Sequence, residues 1–191
     1  MVRYLSLLLF IGLVFWTCGK QDPVSTNSEI QSGGITTIDS ISCSPIDELN
    51  QENLCTATGG TDGVKILGRC YSIENTIRID LSWENRRDSL PPEIGLLTNL
   101  TYLDLSYNQL KGNIPPQICN LTNLTYLGLE KNQLTTLPGS ISQLVNMKEL
   151  DLEENQLTSL PDSIGNLSSL EILNLSFNQL NCSLENVYFR F

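Results

Sequence analysis

The stretch LTYLDLSYNQL, Leu100–Leu110, decides how the rest of the chain is read. Leu103, Asp104 and Leu105 alternate apolar and polar, as a short strand with its leucines inward and the residue between them outward requires. The pattern returns as LTYLGLEKNQL (Leu124–Leu134), MKELDLEENQL (Met147–Leu157) and LEILNLSFNQL (Leu170–Leu180). A degenerate copy upstream holds Ile79, Leu81 and LPPEI (Leu90–Ile94) in register. Marked by the second strand leucine, the copies fall at Leu81, Leu105, Leu129, Leu152 and Leu175, with spacings of 24, 24, 23 and 23. A unit this short cannot enclose a core of its own and must stack on its neighbours. Strands piled at about 4.8 Å form a parallel sheet on a concave side. Returning segments such as Ile118–Leu124 take up more width on the convex side, so the array curves.

Between the strands lies a second motif: IPPQI (Ile114–Ile118), LPGSI (Leu137–Ile141) and LPDSI (Leu160–Ile164). Together with Lys111-Gly112-Asn113-Ile114-Pro115, these units resemble the leucine-rich repeat, in its plant-receptor-type and LPxxI-type variants, over about residues 76–188. The resemblance implies an α/β solenoid: a right-handed superhelix with a short parallel concave sheet, an irregular or 3-10 convex side, and about five coils. It says little of any particular activity, because one fold hosts many functions.

Asn108, Asn132, Asn155 and Asn178 follow the marker leucines by three residues. An amide there can satisfy backbone groups in its own coil and the next, and these asparagines are expected to be structural. In the first coil Glu84 takes that register and Asn85 follows it, so a distorted turn is expected.

At the amino terminus, Arg3 precedes the apolar run Leu5–Trp16. As a helix that run spans roughly 18 Å, too short for a hydrocarbon core of about 30 Å. A positive start, a short apolar stretch and small residues behind it read as a secretory leader, residues 1–17. Its end, LVFWTCGK (Leu13–Lys20), resembles a bacterial lipoprotein cleavage site, which implies that Cys18 becomes the lipid-bearing first residue. With the repeats, this is similar to bacterial surface leucine-rich repeat lipoproteins: exported, and held at the outer membrane or cell surface, with plain secretion as the alternative. Asp22–Ile41 has 11 Ser, Thr, Asn, Gly or Pro among 20 residues. Residues 18–42 therefore read as a flexible tether with a reach of roughly 25 Å.

Eleven Lys+Arg against 21 Asp+Glu give a net charge of −10, which argues against nucleic acid or an anionic membrane surface as partner. Contact with a membrane is expected through the lipid alone, and the protein is expected to be a monomer. The chain has no histidine, so the usual general base and the commonest zinc ligand are missing. No cofactor, metal or catalytic residue is expected. Residues 43–75 lack the repeat and read as an N-terminal cap, with Val64–Tyr71 an added edge strand. Cys43, Cys55 and Cys70 permit one disulfide and one leftover thiol. The pairing Cys55–Cys70 is favoured because the first strand must be clamped near Cys70. Cys119 takes a small-residue position and reads as a buried, inert thiol, too far from Cys182 to pair with it. Residues 76–191 form the array, ending in an incomplete coil whose return side Leu184 and Tyr188 continue. Either Val187, Phe189 and Phe191 fold over its open end, or the chain is a truncated member of a longer array. Six Asn-x-Ser/Thr sequons, at Asn99, Asn120, Asn123, Asn166, Asn174 and Asn181, arise from the repeat itself.

Four columns of residues project from the concave sheet: Arg78, Tyr102, Tyr126, Glu149, Ile172; Asp80, Asp104, Gly128, Asp151, Asn174; Ser82, Ser106, Glu130, Glu153, Ser176; and Trp83, Tyr107, Lys131, Glu154, Phe177. Trp83, Tyr102, Tyr107 and Tyr126 are amphipathic contact area of the kind binding surfaces use. Glu130, Glu149, Asp151, Glu153 and Glu154 make a negative patch. With Asp104 and Phe177, these are the expected ligand-binding residues, and the expected ligand is a protein or a glycan. A structural spacer without a specific ligand is the alternative. Calcium held by the carboxylates is a weaker reading, since no EF-hand or nonapeptide calcium loop is present; a hydrolase using a pair of them is weaker too, since an open sheet is expected neither to exclude water nor to raise one carboxyl's pKa.

Overall fold

A computed structural model describes residues 50–180 and 188–190. The leader, Cys18, the tether, Cys43, Asn181, Cys182, Leu184, Val187 and Phe191 lie outside the described residues.

The repeat strands are β4 (Arg78–Asp80), β5 (Tyr102–Asp104), β7 (Tyr126–Gly128), β9 (Glu149–Asp151) and β10 (Ile172–Asn174). They stack in that order as one parallel sheet, each pairing residue for residue with the next, so Ile79, Leu103, Leu127, Leu150 and Leu173 lie in line. These residues and all five marker leucines are buried in a single hydrophobic cluster. Backbone bonds continue beyond the strands: the amides of Leu81, Leu105, Leu129 and Leu152 donate to Asp104, Gly128, Asp151 and Asn174 of the following coil, at 2.8–2.9 Å. The fold is thus an α/β solenoid in which no coil is closed by its own contacts.

Each return begins at a proline. Pro91, Pro115, Pro138 and Pro161, with φ between −75° and −65°, precede the 3-10 turns Pro92–Leu96, Pro116–Asn120, Gly139–Gln143 and Asp162–Asn166. The ring fixes φ near the value that the turn entry needs. The proline carbonyls accept from Ile94, Ile118, Ile141 and Ile164 at 3.0–3.1 Å, which turns those isoleucines into the core. The turns pack tightly: a Cβ at Gly95 would lie 2.6 Å from the carbonyl oxygen of Gln117 in the next coil. Beside the returns, β6 (Lys111–Asn113) pairs in parallel with β8 (Gln133–Thr136) in a separate two-stranded sheet.

The four expected asparagines form a ladder. Asn132 Nδ2 donates to the carbonyls of Leu105, Leu129 and Glu130 at 3.0–3.2 Å, while its Oδ1 accepts from Leu110 N at 3.0 Å. Asn108, Asn155 and Asn178 repeat this arrangement in their own coils. In the first coil, Glu84 instead pairs with Arg69 and Arg86, at 2.5 and 2.6 Å, and Asn85 adds a left-handed residue at φ 55°. A second ladder lies on the return side, where Asn99, Asn123 and Asn146 donate to Glu74, Thr98 and Thr122 carbonyls. In sequence Asn99 and Asn123 read as sequons arising from the repeat. Their amides are in fact committed to the backbone.

Three readings are corrected. Val64–Tyr71 is not an edge strand of the repeat sheet: Leu67 and Gly68, at φ 47° and 84°, reverse the chain. The segment becomes β2 (Asp62–Ile66) and β3 (Arg69–Ser72), which with β1 (Leu54–Thr56) form a separate antiparallel sheet. Val64, Ile66 and Leu67 cover the first coil's end of the core, and the Cys55–Cys70 disulfide ties β1 to β3. Cys119 is not a free thiol. It is disulfide-bonded. Tyr188, finally, is not on the return side of another coil. It begins β11 (Tyr188–Arg190), antiparallel to β10, which occupies backbone groups that the last repeat strand would otherwise present at an open edge.

Candidate ligand-binding face

Because the strands pair in strict register, side chains of like position stand one above another at the strand spacing, and flat ones stack. In the first column Tyr102 and Tyr126 lie with centroids 4.4 Å apart and planes 6° apart. The Arg78 guanidinium lies 3.4 Å from the Tyr102 centroid and closes the stack. Burial and the nearby Asp104 carboxylate push the Tyr126 phenol well above its ordinary pKa, so it stays protonated. Tyr126 has room because residue 128 is glycine: a Cβ there would meet Tyr126 OH at 2.9 Å, and Asp104 Oδ1 and Ser106 Oγ at 2.8 Å.

The second column has a structural duty. Asp80, Asp104, Asp151 and Asn174 each accept, through Oδ1, from the backbone amide two residues ahead, at 3.0–3.2 Å. These Asx turns fix the strand exits. Asp104 also accepts from Tyr102 OH at 3.2 Å, so both its oxygens are engaged. Asp151 is half-buried. Burial first, and then Glu130 and Glu153, raise its carboxyl above the ordinary value, against the expectation that an open sheet leaves its carboxyls unshifted: stacked coils half-bury the side chain among like charges.

The fourth column carries what sequence reasoning missed. Trp83, Tyr107, Lys131, Glu154 and Phe177 all have positive φ, between 49° and 61°. Such a conformation is strained for bulky residues and persists only where surrounding structure enforces it. Here the amides of Trp83, Tyr107, Lys131 and Glu154 each donate to the next coil at 2.8–3.1 Å, and after Tyr107, Lys131, Glu154 and Phe177 a ladder asparagine follows directly. The signal lay in each asparagine's predecessor, which shows no residue preference in sequence. Trp83 stacks on Tyr107 at 3.7 Å, and Lys131 Nζ lies 4.6 Å from the Tyr107 centroid. Trp83 and Phe177 remain 71% and 60% exposed.

Lys131 also divides the acidic patch. Its ammonium pairs with Glu130 and Glu154 at 3.1 and 3.3 Å, and Glu153 accepts from Asn174 Nδ2 at 2.7 Å. Glu149 and Asp151 have no ion-pair partner among the described residues. Among those residues no group of three or more His, Cys, Asp or Glu is arranged to hold a metal ion, and no helix is long and apolar enough to cross a membrane. The structure therefore brings the expected aromatics into two stacks on the early coils and the expected carboxylates together on the later ones. Phe177 stands on the last coil, apart from the aromatic pairs.

The family description "Leucine-rich repeat region" matches residues 79–187. Among solved structures, a leucine-rich repeat protein of Leptospira interrogans is 42% identical, with a TM-score of 0.46, covering 48% of this chain and 23% of that one. The plant peptide hormone receptor RGFR1, in complex with RGF2, is 35% identical with a TM-score of 0.54, covering 56% and 18%. The PEPR1–AtPEP1 structure is 32% identical with a TM-score of 0.51, covering 56% and 15%. The chain thus spans less than a quarter of the length of each of these proteins. No curated protein matches its sequence.

Proposed function

The chain belongs to the leucine-rich repeat family, and from that premise we propose that it is a non-enzymatic binding module whose concave face takes a protein or glycan ligand. The observation that carries this reading is the pair of aromatic stacks on the concave face, Trp83–Tyr107, with Trp83 exposed, and Tyr102–Tyr126, whose rings have little side-chain entropy left to lose. Aromatic rings held in register before a ligand arrives favour binding through preorganisation. The receptor RGFR1 in complex with RGF2, similar in fold, supports a ligand-binding role.

Display at a cell surface through lipid on Cys18 completes the proposal. It rests on the leader-like run Leu5–Trp16 and the cleavage-site-like Leu13–Lys20. The Cys55–Cys70 disulfide fits an oxidising compartment. Mass spectrometry of the mature amino terminus tests the anchor: a lipid-modified Cys18 is expected, and an unmodified terminus elsewhere overturns it. For the binding face, protein and glycan arrays are probed with the parent chain and with a Tyr102→Ala, Tyr107→Ala, Tyr126→Ala variant. Loss of the bound ligands is expected. Retention of every ligand at equal affinity would remove the concave face from consideration and favour a spacer.

A further inference from the structure

The two ends of the repeat sheet are finished differently. At the far end β11 runs antiparallel beside β10 and takes up its outer backbone groups. At the near end β4 is the last strand, because the cap strands pair only among themselves. The Leu81 amide donates to Asp104, and the Ile77 carbonyl accepts from Thr101, so these residues turn their backbone groups towards the second coil. Alternation along the strand turns those of Arg78 and Asp80 the other way. No backbone bond reaches them there among the described residues. Both residues are exposed, as are Ile77 before the strand, at 62%, and Trp83 after it. The open face of the Trp83 indole looks out on the same side, since Tyr107 of the second coil takes the other.

We infer that β4 is a self-association edge, through which two copies of this chain pair antiparallel about a two-fold axis and join their sheets into one. The pattern of charge carries this. Sheet edges are guarded against pairing by proline or by charges that repel a second strand. β4 has no proline, and its charges are opposite and two residues apart on one face. With the axis through Ile79, Arg78 stands opposite the second copy's Asp80, and Asp80 opposite the second copy's Arg78. These are the residues whose amides and carbonyls face outward, so each opposed pair exchanges two N–H···O bonds and adds an ion pair. A slip of two residues sets Arg78 against Arg78, or Asp80 against Asp80, so charge selects the register. Within one chain Arg78 Nη2 lies 3.3 Å from Asp80 Oδ2, an exposed pair that exchanges readily for the second copy's. Asp80 Oδ1 stays on Ser82 throughout. A three-residue strand and its flanks fall short of the roughly 1,200 Å² that stable complexes bury, so the dimer is weak and forms where the protein is concentrated. It replaces the monomer expected from sequence, and it does not depend on the ligand-binding reading of the concave face.

The test is sedimentation velocity of the full chain in neutral detergent from about 10 µM to about 500 µM, with hydrogen exchange of the Arg78 and Asp80 amides at both limits. A monomer–dimer equilibrium is expected, with both amides exchanging freely when dilute and protected when concentrated. Arg78→Glu, which sets a carboxylate against the second copy's Asp80, is expected to weaken association at least about tenfold. Asp80→Asn keeps an acceptor for Ser82 N, as Asn174 does for Ser176 N, and is expected to weaken it by less. Arg78→Glu mixed with Asp80→Lys is expected to form a heterodimer, since every opposed pair is then of unlike charge, although each variant alone stays monomeric. Unchanged circular dichroism confirms that each variant is folded, and the first two carry the test if Asp80→Lys is not. A monomer at every concentration, association indifferent to Arg78→Glu, or a folded mixture no tighter than its components overturns the inference. Amide protection that does not change with concentration assigns the edge to another segment of the same chain, and overturns it too.

Discussion

Asn132 donates from one amide to the carbonyl of Leu105 in the coil before it, at 3.0 Å, and to Leu129 in its own, at 3.1 Å. Its other amide atom, Oδ1, accepts from Leu110 N. A single side chain thus stitches two coils with no water available to replace it, since the residue is 7% exposed.

Asn132→Ala is expected to destabilise the fold by about 1–3 kcal/mol, because several buried backbone groups lose their partner together. Asn146→Ala, which removes one exposed bond to the Thr122 carbonyl on the return side, is expected to cost less than about 1 kcal/mol. Urea denaturation of both variants measures the contrast. Equal losses would mean that the inner ladder is no more important than the outer one.

Leu129→Ala is expected to cost about 2–5 kcal/mol, through lost burial and a cavity in the continuous core. Its neighbour Glu130 faces the concave side and pairs with Lys131, so Glu130→Ala is expected to stay within about 1 kcal/mol. Chemical denaturation distinguishes them.

Asp151 has a folded pKa raised above its ordinary value by burial and by Glu130 and Glu153. A raised carboxyl is a penalty on the folded state that is fully present above the folded pKa and relieved as pH falls through it towards the unfolded value. Asp151→Asn keeps the acceptor for Glu153 N, as Asn174 does for Ser176 N in the next strand. The variant is therefore expected to melt higher than the parent at neutral pH, with the difference shrinking as pH falls through the raised pKa and gone below the ordinary carboxylate range. A pH series of thermal melts checks it; a gap that widens in acid has the wrong sign.

Gly95→Ala is expected to cost about 1–3 kcal/mol, since the added methyl meets the backbone of Gln117. At Gly128 the obstacles are the ends of Asp104, Ser106 and Tyr126 side chains, which can turn aside. Gly128→Ala is expected to cost less in stability yet to displace Tyr126 and weaken ligand binding. Melting and array binding on the same two variants separate the effects.

The array was legible because burial imposes a period. Leu81 through Leu175, the proline-led turns and the asparagines recur wherever one coil must repeat what its neighbour does. Leu67-Gly68, by contrast, reverses the chain with no repeated partner to betray it, and nothing in the repeat marks Cys119 as disulfide-bonded. The columns of the concave face were also readable, because strand alternation and register leave no other choice. What each column does was not. Asp104 reads as a ligand-facing carboxylate and is consumed by Tyr102 and Ser106; Lys131 reads as one more variable position and neutralises part of the acidic patch.

The amino-acid sequence by itself determined the coil, its length, its inward row and the order of its outward groups, since these follow from period and polarity along one chain. The tertiary structure alone decided which outward groups spend their hydrogen bonds and charges on one another and which, like Trp83 and Glu149, stay open. Some of those pairings are local, such as Asp104 with Tyr102 and Lys131 with Glu130, but Lys131 with Glu154, Glu153 with Asn174 and Trp83 with Tyr107 join residues some two dozen positions apart, brought within a few ångströms only when coils stack.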